Sequence, residues 1–239
     1  MMAQPKLSKK ELKEDEFLNT FERVLRYVSL HSKAFTYAMA GLLLVIVATC
    51  GIRIYFERYE AKASQQIYSA NAAYKANLAL ISQESAMERR GAPDFEKPLS
   101  LYQEFMKQFP HSRRVGEALY QSAQCLYHLS KYDEAISSFQ KYLQRYPKGS
   151  FSVLAGLGLG NCLEEKSEFE KAATAYSNVI RNAPGDPLLG EAYVSLARCQ
   201  EATGKKEEAN NTYKELIEKF PNSSWKSYAE RKLLYLKSH

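Results

Sequence analysis

The sequence predicts an all-α chain: a superhelical array of helical hairpins behind one N-terminal transmembrane helix. Three observations lead there. Pro110, Pro147, Pro184 and Pro221 fall 37 residues apart each time. Alanines and aromatics recur on the same beat at helical spacing. The 19 residues from Ala34 to Ile52 carry no charge.

The array is read from whole segments. Glu117 to Pro147, Leu154 to Pro184 and Glu191 to Pro221 align as copies of two helices and a stop. Alanine recurs at Ala118, Ala155, Ala192 and Ala229, a small residue at Ala123, Gly160 and Ala197, and cysteine at Cys125, Cys162 and Cys199. In the second half of each copy Ala135, Ala172 and Ala209 lie four residues before Phe139, Tyr176 and Tyr213. These are the i, i+4, i+7 stripes of helices buried on one face. Ser130 with Asp133, and Ser167 with Glu170, have the spacing of capping boxes that would start the second helices, with Gly204 and Glu207 in the matching places. Each terminal proline stops a helix because it lacks the amide hydrogen and crowds the preceding turn.

This pattern resembles tetratricopeptide repeats: a small residue in the first helix, then alanine, an aromatic and a closing proline in the second. The beat is about three residues longer than that family's usual 34. The surplus falls in the loops beginning at Pro110, Pro147, Pro184 and Pro221, similar to the lengthened turns of bacterial cell-envelope members such as outer-membrane assembly lipoproteins and division coordinators. The repeats are expected over residues 98–239, with Leu99 to Pro110 as an earlier second helix and Tyr228 to His239 as a final first helix acting as a cap.

Residues 34–56 are expected to cross the membrane. Nineteen residues at ~1.5 Å each span about 28 Å, close to a bilayer core, and Tyr37, Arg53, Tyr55 and Phe56 suit the interfaces. With 33 residues ahead of the apolar run, a cleaved signal peptide is disfavoured. Val47-Ala48-Thr49-Cys50 resembles a lipobox, from which Thr49 departs. Arg23, Arg26 and Lys33 on one side balance Arg53, Arg58 and Lys62 on the other. Adding Lys6, Lys9, Lys10 and Lys13 favours a cytoplasmic N-terminus and extracytoplasmic repeats. Residues 1–33 read as a short basic amphipathic leader, helical from about Lys9 to Leu30, with a Ser8 to Glu11 capping box and a stripe of Phe17, Phe21, Val24, Leu25 and Val28. Residues 57–97 read as a connecting helix and loop.

The net charge of +6 and pI near 9.0 do not imply nucleic acid, since residues 98–239 mix 19 basic and 16 acidic side chains in the manner of a solvated repeat surface. The three cysteines are copies of one repeat position about a helix diameter apart, which suits neither a disulfide nor a shared metal. Gly156-Leu157-Gly158-Leu159-Gly160 follows no strand and lies within a first helix, so it is no nucleotide loop. There Gly160 is expected to allow close helix approach, while Gly156 and Gly158 soften the helix at ~1 kcal/mol each. His128 lies near Cys125, yet two ligands do not make a site. With no nucleophile, base or acidic dyad in evidence, the chain is expected to be no enzyme and to need no cofactor.

Binding remains. The resemblance implies a concave groove built by first helices. Its groove positions, carried over with Gly116, Val153 and Gly190 opening the copies, fall on Glu117, Tyr120, Gln124, Tyr127 and His128, then Leu154, Leu157, Asn161, Glu164 and Glu165, then Glu191, Val194, Arg198, Glu201 and Ala202. Tyr120, Tyr127, Leu157 and Val194 are expected to take apolar side chains of a protein or peptide, and Gln124, Asn161 and Arg198 to bond its backbone. Tyr120 and Leu157 stand where a chaperone-tail clamp would have lysine, so that partner is disfavoured. The layout of leader, span and repeats resembles the ancillary subunit of the bacterial Sec translocon. It implies a single-pass inner-membrane scaffold with periplasmic repeats, working in a larger membrane complex on protein export or maturation. The alternatives are a scaffold for division or outer-membrane assembly, or a cytosol-facing import receptor of an organelle.

Overall fold

The computed structural model describes residues 20, 22, 23, 26, 27, 29–83 and 93–238, in two units, Met1–Arg58 and Tyr59–His239. Within the first unit the expected leader stripe and its capping box lie outside the described residues. Helix α1 (Ser32–Gln83) begins there, and its most apolar 18-residue window has a mean hydropathy of 2.1 with none of it buried. Leu42, Leu43, Leu44, Val45, Ile46 and Val47 are all at least half exposed. Thr49 satisfies its hydroxyl within the helix, donating to the carbonyls of Val45 and Ile46 at 2.9 Å each, so it adds no unmet polar group to this surface. The helix is long and apolar enough to cross a membrane.

The second unit is a run of antiparallel hairpins. It takes in the remainder of α1, then α2 (Glu96–Gln108), α3 (Val115–His128), α4 (Tyr132–Arg145), α5 (Ser152–Glu165), α6 (Phe169–Asn182), α7 (Leu189–Ala202), α8 (Lys206–Lys219) and α9 (Lys226–Ser238). First helices begin at Val115, Ser152, Leu189 and Lys226, 37 residues apart. The segment expected to be only a connector contributes to the core: Ala63, Ile67, Ala70 and Tyr74 form an i, i+4, i+7, i+11 stripe buried with Phe95, Leu99, Tyr102 and Phe105. The end of α1 and α2 are therefore an additional hairpin. Its fastening continues in Glu60, whose carboxylate accepts from Ser112 Oγ at 3.0 Å and from the Arg113 amide at 3.1 Å.

Each second helix stops two residues before its proline. The residues just ahead of the prolines, Phe109, Tyr146, Ala183 and Phe220, hold φ between −124° and −133° and ψ between 53° and 60°, because a following proline ring crowds the α region. The surplus loop residues form an ordered turn. Ser112, Gly149, Asp186 and Ser223 donate their amides back to Phe109, Tyr146, Ala183 and Phe220, and their carbonyls accept from Val115, Ser152, Leu189 and Lys226.

The expected capping boxes are corrected. Ser130 and Ser167 sit at φ 57° and 59°, and Gly204 at 77°, so they close the first helices rather than open the second. Ser130 donates its amide to Tyr127 O and Lys131 donates to Leu126 O; Ser167 and Glu168, then Gly204 and Lys205, repeat both bonds. That pair is the Schellman closure of a helix C-terminus, whose left-handed residue is most often glycine. The residues N-capping the second helices are Lys131, Glu168 and Lys205, and none makes a side-chain cap bond.

In the glycine run the close approach expected at Gly160 is present, and Gly156 and Gly158, expected only to soften the helix, make close approaches as well. A Cβ at Gly160 would stand 2.3 Å from the Tyr176 ring, one at Gly158 2.5 Å from Phe139, and one at Gly156 2.3 Å from Val179. All three glycines admit a neighbouring second helix: Gly158 faces α4, Gly156 and Gly160 face α6. The absence of a side chain is a packing requirement at each of them.

Candidate protein-binding groove

The groove face of the array is built around a recurring hydroxyl. Tyr176 on α6 is fully buried, and its Oη reaches α5, donating to Glu164 Oε1 at 2.6 Å and lying 2.7 Å from Asn161 Oδ1. Tyr213 on α8 does the same to Glu201 at 2.6 Å, and Tyr102 to Asn71 at 2.6 Å. Burial, then the adjacent carboxylate, drives the Tyr176 and Tyr213 hydroxyls well above the usual phenol range, so both remain donors. The remaining oxygens of these carboxylates face the next hairpin. Arg198 Nη2 lies 2.9 and 2.7 Å from the two oxygens of Glu164, and Lys232 Nζ lies 2.8 Å from Glu201 Oε2.

This arrangement decides which expected groove residues are accessible. Tyr127, Asn161, Glu164, Val194 and Arg198 line one cavity of about 240 Å³, together with Glu165, Glu191, Ser195 and Trp225. Three carboxylates against one guanidinium give its wall an acidic balance. Three of the four apolar contacts expected for a partner are core side chains, although Val194 also borders the cavity. Tyr120, Leu157 and Val194 are 7%, 3% and 2% exposed; the Tyr120 ring stacks on Phe151 at 4.7 Å, and its hydroxyl oxygen accepts from Gln124 Nε2 at 2.7 Å. The carried-over positions fall on first helices, but these side chains turn into the core, Tyr120 against the rings of Phe139, Tyr142 and Phe151.

The other expected residues lie outside this cavity. Glu117 is tied to Asn71 at 2.7 Å and to Arg114 at 2.9 Å. His128 stacks on Phe95 at 4.3 Å, with Nε2 3.4 Å from the Tyr74 hydroxyl, and burial lowers its pKa from the ordinary value. Glu201 is held by Tyr213 and Lys232. Trp225 was missed, although it is the chain's one tryptophan and falls in an inter-repeat loop. It is 37% exposed, and with Glu191 it also borders a second cavity of about 520 Å³ between Pro187, Leu188 and Phe220.

Cys125, Cys162 and Cys199 are fully buried, and burial pushes each thiol up to about 12, which removes the thiolate that chemistry or metal binding needs. Among the described residues no group of three or more His, Cys, Asp or Glu is placed to hold a metal ion.

Stacked hairpins with small-residue contacts, closing prolines and a groove lined from the first helices make this a protein–protein interaction scaffold of the tetratricopeptide type. A family model described as "YfiO: Outer membrane lipoprotein" matches residues 114–239, and the chain belongs to that family. No curated protein matches it. Among solved structures it is similar to MamA residues 41 to the end from Desulfovibrio magneticus RS-1, at 20% identity and TM-score 0.46 over 70% of this chain and 94% of that one. It is also similar to the Yersinia enterocolitica type III secretion chaperone SycD in complex with a peptide of the translocator YopD, at 23% identity and TM-score 0.46 over 53% and 95%. PcrH from Pseudomonas aeruginosa is similar at 22% identity and TM-score 0.45 over 53% and 94%.

Proposed function

We propose that this chain is a membrane-anchored scaffold of the bacterial cell envelope whose repeats hold a partner protein in the cavity between Tyr127 and Trp225. The carrying observation is that cavity: two aromatic side chains and an acidic wall converge there from α3, α5, α7 and the loop before α9. A peptide presenting a hydrogen-bonding backbone and a basic side chain fits this wall. Residues 34–56 supply the anchor, since an apolar surface of that length is at rest in a bilayer. The basic leader favours a cytoplasmic N-terminus with periplasmic repeats in an inner membrane. Family membership supports an envelope setting, for assistance to export and maturation or for outer-membrane assembly.

Photocrosslinking from Arg198 and Trp225 positions in intact cells tests the site. Defined protein adducts lost on Glu191→Lys are expected, and crosslinks to lipid alone would refute it. Labelling of a cysteine introduced at an exposed repeat position such as Ser137 tests the topology. It should react with a membrane-impermeant reagent from the periplasm, and reaction only from the cytosol would reverse the orientation.

A second reading concerns Cys50. The family description favours a lipid anchor, but the matched region begins at residue 114 and does not reach that cysteine. Globomycin-sensitive processing would establish lipidation; a full-length product indifferent to the drug would leave the helix as the anchor.

A further inference from the structure

The repeat register allows the middle hairpin, α5 and α6, to be compared with its neighbours position by position. At three positions it has lost a large side chain. Gly156 stands where the flanking hairpins have Leu119 and Tyr193, Val179 where they have Tyr142 and Leu216, and Ala183 where they have Tyr146 and Phe220. In the flanking hairpins those side chains fill one place. Leu119, Tyr142, Tyr193 and Leu216 are at most 5% exposed, Tyr142 lies 5.3 Å from Tyr146, and Tyr193 lies 5.9 Å from Phe220. In the middle hairpin the same place is a cavity of about 400 Å³ bordered by Gly156, Val179 and Ala183. One change runs the other way: Val153 replaces Gly116 and Gly190, and the cavity persists beside it.

Val179 takes the place of the side chain lost at Gly156, standing 2.3 Å from where a Cβ would be, so the space left open comes from the smaller side chains at Val179 and Ala183. It meets solvent beside Pro147, Arg181 and Asn182, all exposed. Arg181 is the single charged side chain on its wall, and no carboxylate lies there. The pocket shares no lining residue with the concave cavity.

We propose that this pocket receives one aromatic side chain from a partner protein, flanked in the partner's sequence by a carboxylate that pairs with Arg181. The aromatic class follows from what occupies the equivalent place in the flanking hairpins, and the acidic flank from the charge of the rim.

Ala183→Phe tests it by filling the pocket from within. The backbone at Ala183 (φ −133°, ψ 53°) matches that at Tyr146 (−131°, 59°) and Phe220 (−129°, 60°), so aromatic residues already adopt this backbone conformation. Full-length protein in nanodiscs is titrated by fluorine NMR with acetyl-Glu-(4-fluoro-Phe)-Glu-amide, with the Lys-flanked peptide and a pentyl-side-chain analogue as comparisons. Saturable binding of the acidic aromatic peptide is expected, weakened at least about tenfold by Ala183→Phe. Arg181→Glu, a change at an exposed position, should shift preference to the Lys-flanked peptide. The proposal is overturned by equal binding to wild type and Ala183→Phe, by no saturable binding, or by equal binding of the pentyl analogue, which would mark an acyl-chain site. It is also overturned if Ala183→Phe converts a dimer to a monomer in sedimentation, which would make a second copy the occupant.

Discussion

The Tyr176 hydroxyl and the Glu164 carboxylate, twelve residues apart and 2.6 Å from each other, join the two helices of one hairpin, and Tyr213 repeats the bond to Glu201. The hairpin between α3 and α4 lacks both partners together: Phe139 occupies the tyrosine position and Tyr127 the carboxylate position. A partly buried carboxylate that loses a donor is destabilised, whereas loss of both partners is tolerated.

Tyr176→Phe is therefore expected to destabilise the repeats by about 1.5–3 kcal/mol, the range for hydrogen bonds to charged groups. Adding Glu164→Tyr, which recreates the neighbouring pair, should cost less than the sum of the single changes. Urea denaturation of the four proteins measures the coupling, and strict additivity would contradict it.

Gly158→Ala should destabilise by about 1–3 kcal/mol through overpacking, since its Cβ would meet the fully buried Phe139 ring at 2.5 Å. Shortening the ring with Phe139→Leu should recover part of that loss. Thermal melts that place the double variant below both single variants would show that the ring is not the obstacle.

Ser167→Gly should stabilise by roughly 0.5–1 kcal/mol, because the left-handed φ of 59° costs a residue with a Cβ more than it costs glycine. Ser167→Val should destabilise by a larger margin. Gly204, at the same register position, is the internal reference, and Gly204→Ser is expected to lower the melting temperature.

His128 gives the first hairpins a pH dependence. Burial lowers its folded pKa, so the unfolded chain binds the proton more readily. The contribution is complete above the unfolded value of about 6.5 and is lost as pH falls from there towards the folded pKa. Denaturation at pH 7.5 and 5.5 should show a smaller loss of stability in His128→Phe than in wild type; an unchanged pH response would remove the histidine from the account.

Helical class, register and hairpin boundaries were legible because proline, alanine and ring positions each act locally and recur. Ser130 and Ser167 misled because the spacing of a serine and an acid is the same on either side of a helix boundary; Gly204 in the third copy was the signal that the position is left-handed. The connector's role went unread because the α1–α2 loop breaks the beat, hiding the stripe from Ala63 to Tyr74. Of the positions carried over by family pattern, Asn161, Glu164 and Arg198 come together on one cavity wall. Whether Leu157 and Val194 turn outward or inward depends on the space left by residues opposite, which one sequence position does not reveal.

The thinned middle hairpin has a consequence for how the array comes apart. The buried core forms two clusters, one running from Ala63 to Tyr142 with Ala155 and Cys162, the other from Val153 to Ala229, and they meet on α5. Stacked repeats share cooperativity only through their neighbours, and α5 contributes glycine where the adjoining first helices contribute Leu119 and Tyr193. Amide exchange is therefore expected to open the α7 to α9 block independently of the hairpins between Tyr59 and α4, and one uniform opening of the whole array would contradict this.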